Sequence, residues 1–148
     1  MFNLLEEFEK LLKEAPLPYE RKPVLKEYDR DGLFQEICIA CSPRSVISIS
    51  IYRDELQTDC YVYENNQWMN YQLGNILYNR SPKRKHIPGI EKPANKDSFD
   101  EQRLYGIKCI HYSLLQYGDD VLKGDLEWTK ESPYPPTRGG DPSYIFDK

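Results

Sequence analysis

The sequence predicts an α+β domain: an N-terminal helix, an antiparallel β-meander of about five strands, and a C-terminal helix packed on the sheet. Three observations carry this. Residues 2–15 and 98–117 place apolar side chains at helical spacing. The stretch between residues 24 and 73 reads as successive strands, of which residues 45–52 alternate with period two. Its turns span only two to four residues, which join antiparallel strands, whereas parallel strands need a crossover of a dozen or more.

In the first helix, Phe2, Leu5, Phe8, Leu12 and Ala15 form the stripe, with Leu4 and Leu11 widening it. Asn3 followed by Glu6 is a capping pattern, and Pro16 and Pro18 stop the helix. Strands follow at 24–28, 33–41, 45–52, 56–63 and 67–73. The third is the clearest: Ile47, Ile49 and Ile51 fall on one face, Ser48 and Ser50 on the other. Asn65-Asn66 suits a tight hairpin, because asparagine tolerates left-handed backbone. Residues 74–80 fit either a strand or a helical turn. Residues 81–97, with three prolines and the run Lys83-Arg84-Lys85-His86, read as a long surface loop.

Ser98 with Glu101 three residues on caps the second long helix, whose stripe runs through Leu104, Ile107, Ile110 or His111, Leu114 and Leu115. Gly118 ends it. Asp119 to Gly124 then forms a further turn, capped by Asp119 and closed by Gly124. Residues 132–148 read as an irregular tail whose Tyr144-Ile145-Phe146 end packs back on the body. The 148 residues make one domain, 1–148, with no internal repeat.

Composition narrows the function. Hydrophobic residues at 39% and charged residues at 30% fit a folded chain rather than a disordered one. A net charge of −4 argues against a nucleic-acid partner, whose binders carry basic patches. No apolar run approaches the length of a membrane span. The first residues carry Glu6 and Glu7 where a signal peptide has cations, so a cytoplasmic location is expected. Cys38, Cys41, Cys60 and Cys109 are then free thiols. Cys38 and Cys41 match CxxC, but on a strand residues three apart face opposite ways, which suits packing rather than redox chemistry.

No catalytic, cofactor or metal motif is expected. One short-spaced cysteine pair is half of a zinc site, and Cys109 and His111 diverge on a helix. His111 reads as a boundary histidine beside an apolar stripe and His86 as a solvated one. The chain therefore reads as a binding protein rather than an enzyme, without cofactor or metal.

The acids have a pattern. Asp119, Asp120, Asp125 and Glu127 cluster beside Trp128, and Asp54, Glu55, Asp59 and Glu64 lie around one hairpin. Aromatic anchors rimmed by acids describe a protein-binding face for a basic partner. The bland alternative is solvated surface charge. A second functional class stays open: a small enzyme or ligand-binding domain using a tyrosine-lined pocket between sheet and helix, where His111, tyrosines and carboxylates would converge.

The segment Tyr112-Ser113-Leu114-Leu115-Gln116-Tyr117-Gly118-Asp119-Asp120-Val121-Leu122-Lys123-Gly124-Asp125 ends a helix in a "vLkGD"-like turn. In this it resembles small bacterial proteins that look like immunity proteins of secreted polymorphic toxins. The resemblance spans residues 98–128. It implies a cytosolic protein that binds and blocks one cognate toxin, and it carries over no binding residue position by position.

Overall fold

Asn3 starts the first helix, α1 (Leu4–Glu14), by accepting a hydrogen bond from the Glu6 backbone N–H at 2.9 Å. That satisfies one of the free donors at a helix start. The computed structural model describes residues 2–27, 34–52, 55–82, 87, 89–94 and 98–147. The expected turn at 29–32, the basic run 83–86 and Asp54 lie outside them.

Six strands follow in simple order: β1 (Pro23–Glu27), β2 (Phe34–Ser42), β3 (Ser45–Tyr52), β4 (Glu55–Glu64), β5 (Gln67–Tyr71) and β6 (Thr137–Arg138). Every pair is antiparallel. The β4–β5 hairpin turns on Asn65 and Asn66, with φ of 51° and 65°. Two successive left-handed residues match the twist of the flanking strands.

The register aligns Ile39, Ile47, Cys60 and Tyr71 across four strands. This face carries the main core, with Ile37, Ile49, Ile51 and Val62. Cys41 continues the alternation of Ile37 and Ile39 into that core, while Cys38 packs with Ala40 on the opposite face. The thiols thus sit on opposite sides of the sheet. Burial pushes Cys41 up to about 12, so it is a protonated, apolar filler.

Among the described residues four α-helices cover the core face: α1, α2 (Leu73–Arg80), α3 (Phe99–Tyr117) and α4 (Asp119–Lys123). Residues 74–80 resolve as helix, and Leu73 belongs to it rather than to β5. Leu73, Ile76 and Leu77 are its buried side, a pattern too short to separate from a strand in sequence. The Ser98 hydroxyl caps α3, accepting from the Glu101 N–H. Gly124, at φ 96°, closes α4 against Cys41, where an added Cβ would lie 3.0 Å from its carbonyl oxygen. Asp119 does not cap α4, contrary to the sequence reading; it is the first helical residue and the cap position is Gly118.

His111 is 8% exposed and locks α3 to α1. Its Nε2 lies 2.8 Å from the Ala15 carbonyl, which only accepts, so that nitrogen carries the proton. Its ring meets Phe8 edge-on at 6.1 Å.

The tail is less irregular than its composition suggests. Thr137–Arg138 adds the sixth strand, and the Gly139 N–H donates to the Trp68 carbonyl at 3.0 Å. The chain then crosses the second sheet face, burying Ile145 against Cys38 and Val46. Phe146 stays 39% exposed. Among the described residues no helix is long and apolar enough to cross a membrane.

Candidate functional site

Leu17-Pro18 leads into a turn that puts Tyr19 and Glu20 at φ 66° and 54°. Left-handed backbone at a residue with a Cβ costs about 1–2 kcal/mol, and here it occurs twice in succession. The turn packs against α4 and leaves the Tyr19 ring 46% exposed. Its hydroxyl donates to Asp119 Oδ1 at 3.0 Å. That bond, then desolvation and the charges of Asp119 and Asp125, raise the tyrosine's pKa, so the hydroxyl stays protonated. Arg21 lies beneath, its guanidinium carbon 5.9 Å from the ring centre and its Nη1 donating to the Ala40 carbonyl. The result is an exposed aromatic held against exposed Asp119 and Asp125.

Asp120 is drawn out of the predicted acidic group. Arg80, at the end of α2, makes a two-pronged pair with it at 2.7 and 2.9 Å. Arg80 also pairs with Glu131 and donates to the Tyr117 carbonyl at 2.7 Å. Its bonds hold Asp120 and Glu131 below the usual carboxylate range. Glu127 is exposed and pairs with Lys130 at 2.6 Å.

Trp128 is not an exposed anchor. It is 1% exposed, edge-on to Tyr71 at 5.7 Å, and its Nε1 donates to the Asp125 carbonyl at 2.7 Å. A turn at Glu127–Glu131 swings it inward under α4. Tyr19 occupies the exposed role expected of it.

The hairpin acids form a separate group. Glu55 and Asp59 share one face of β4, opposite the helices. Glu55 is exposed and accepts from Gln57 at 3.4 Å. Asp59 is partly buried at a polar cavity, and burial, with the nearby Glu36 charge adding, pushes it up to about 6; hydrogen bonding from Asn70 offsets part of this. The two predicted acidic groups therefore lie on opposite sides of the sheet, not on one face.

A larger cavity of about 520 Å³ lies between α2, α3 and β4. Tyr78, Tyr105, Tyr112 and Tyr117 line it with Leu77 and Ile110. None of its described lining residues is charged, and His111 points away toward α1. Cys109 lies within it, its thiol pKa raised by burial. Among the described residues, tyrosines converge there without a histidine or a carboxylate beside them. Among the described residues no three His, Cys, Asp or Glu side chains group as a metal set.

No family model, curated protein or solved structure matches the chain.

Proposed function

We propose that this chain is a protein-binding module of the immunity type, which occludes the active site of a basic toxin domain. The observation that carries this is the patch at Tyr19. An exposed aromatic on strained backbone, with Asp119 and Asp125 beside it, combines an anchor with charge that steers a cationic partner. Gly124 and the Val121-Leu122-Lys123-Gly124-Asp125 turn, which carry the immunity-type resemblance, build the same patch.

The test is capture of partners from host lysate by the tagged chain at low and moderate salt, against a Tyr19→Ala, Asp119→Asn variant. A single stoichiometric, salt-sensitive partner, lost with the variant and toxic to cells without the chain, is expected. No partner at either salt overturns the reading.

The tyrosine-lined cavity favours a second reading, a domain that binds a small uncharged aromatic molecule. Its volume falls within the usual range for ligand sites. A melting-temperature screen against such compounds, with Tyr112→Ala as control, tests it.

A further inference from the structure

Asp59 sits where a carboxylate needs a reason to be. It lies on β4 at the wall of a cavity of about 350 Å³, bounded by β5, the start of α2 and the Pro135–Thr137 segment. Polar side chains predominate in the lining: Gln57, Gln72 and Asn75 offer amides, and Thr137 a hydroxyl. The charge acting on Asp59 is another carboxylate, Glu36 on β2. Glu36 is 4% exposed, and its own Oε2 already accepts from Ser48 and Tyr61. Asn70, on the same wall, spends its amide hydrogens toward Asp59 and leaves its Oδ1 buried with no donor. The groups acting on Asp59 are an amide donor and a second negative charge, and no described cation pairs with it. Arg138 adjoins the lining residue Thr137 but projects to the other side of its strand.

We propose that this cavity receives a guanidinium group, the side chain of an arginine on the protein partner. The proposal rests on the binding-module reading above and adds a second contact point to it. A guanidinium brings a charge for Asp59 and five N–H donors in a plane, matching several acceptors at once. A divalent metal fits less well, since hard cations collect several carboxylates and this cavity offers one. An anion would meet Asp59 in the wall and the Glu36 charge behind it. The room exceeds what a lone ammonium fills, and the amide and hydroxyl rim suits the flat edge of a guanidinium. With the cavity empty, Asp59 ionises against its surroundings, as burial has pushed it up to about 6. A cation restores the balance.

The experiment titrates the full chain with methylguanidinium while following the Asn70 side-chain amide in ¹H–¹⁵N spectra. Tetramethylammonium, with charge and no donors, and urea, with donors and no charge, are the controls. A saturable shift is expected with methylguanidinium alone. It should weaken roughly tenfold or more in Asp59→Asn, the usual scale for losing a charge-assisted bond. It should also fade as pH falls below about 6, where Asp59 takes up a proton. Asp59→Asn keeps the side-chain shape, and exposed Gln72→Ala gives a second variant that leaves the fold alone. An absent shift, an equal shift in Asp59→Asn, or an equal response to tetramethylammonium overturns the proposal. If the probe fails while a salt-sensitive partner is still captured, the cavity falls and the binding reading stands. If the probe binds while no partner is captured, the partner's arginine is overturned as the occupant.

Discussion

Replacing Arg80 by methionine removes the hub that ties α2, the α3–α4 junction and the Glu127–Glu131 turn together. The guanidinium is only 20% exposed and engages Asp120, Glu131 and the Tyr117 carbonyl. The pair with Asp120 is two-pronged and half-shielded, so it contributes about 1 kcal/mol; the more exposed pair with Glu131 contributes about 0.5 kcal/mol. The bond to the last carbonyl of α3 adds about 1 kcal/mol. Methionine packs some of the vacated space, leaving a loss of about 2 kcal/mol, or about 4–8 °C in melting temperature for a chain of this size.

The loss has a pH signature. Arg80 depresses the pKa of Asp120 below its ordinary 3.8 and that of Glu131 below its ordinary 4.5. Groups depressed in the folded state stabilise it fully above the unfolded values, and lose that contribution as pH falls through the folded ones. Wild type and Arg80→Met should therefore differ most near pH 7, and the gap should narrow as pH falls below the ordinary 3.8 and 4.5 toward the share held by the Tyr117 carbonyl, which does not titrate. Urea unfolding at several pH values measures this, and Arg80→Lys should fall between the two because it keeps charge without the fork. A difference under about 0.5 kcal/mol, or one unchanged from pH 7 to pH 3, would refute the assignment of these contacts.

Glu20→Gly relieves a left-handed backbone at φ 54° and should raise stability by about 0.5 kcal/mol by urea unfolding, the strain released exceeding the added freedom of the unfolded chain. Tyr19→Ala should leave stability within about 1 kcal/mol and weaken partner capture several-fold, read by titration calorimetry against the captured protein. Trp128→Ala should cost about 3–5 kcal/mol, and Trp128→Phe about 1–2 kcal/mol through the orphaned Asp125 carbonyl. Once correctly folded, Trp128→Phe should bind the partner as wild type does. Asp59→Asn should be the more stable protein at pH 7.5 by about 1 kcal/mol after allowing for partial solvent screening. A carboxyl raised from 3.8 to about 6 costs stability as pH climbs through that interval, so the two should match near pH 4 in the same unfolding assay.

Local periodicity made most of the fold readable. Alternation at Ile47, Ile49 and Ile51 identified the central strand, and short turns fixed the antiparallel order. Ser98 and Asn3 announced their helices because a cap is a local bond. The helix at Leu73–Arg80 was ambiguous because eight residues hold too few turns to show a period. β6 was invisible: two residues paired to a strand about seventy positions earlier leave no local trace. The site was harder still. Trp128 stood among acids and read as an anchor, yet Val121, Leu122 and Leu126 around it form the apolar surface that draws it in. Arg80 meets Asp120 across forty positions, a pairing no local pattern encodes. Left-handed backbone at Tyr19 had no signal either, since glycine and asparagine are its usual markers.

The placement of charge separates scaffold from candidate function. On the helical side, Arg80 compensates Asp120 and Glu131, and Lys130 compensates Glu127; those acids stabilise the fold and add little field for a partner. Asp119, Asp125 and Asp59 have no described ion pair. Asp119 and Asp125 flank a tyrosine whose backbone is strained, and Asp59 flanks an amide oxygen without a donor. An incoming cation would offset the unpaired charge at these carboxylates. The tyrosine-lined cavity has no described charge, and His111, between its lining residues Ile110 and Tyr112, bridges two helices. Unspent negative charge at two surfaces on opposite sides of one sheet favours a partner that wraps around an edge of the domain over one that enters a single cleft.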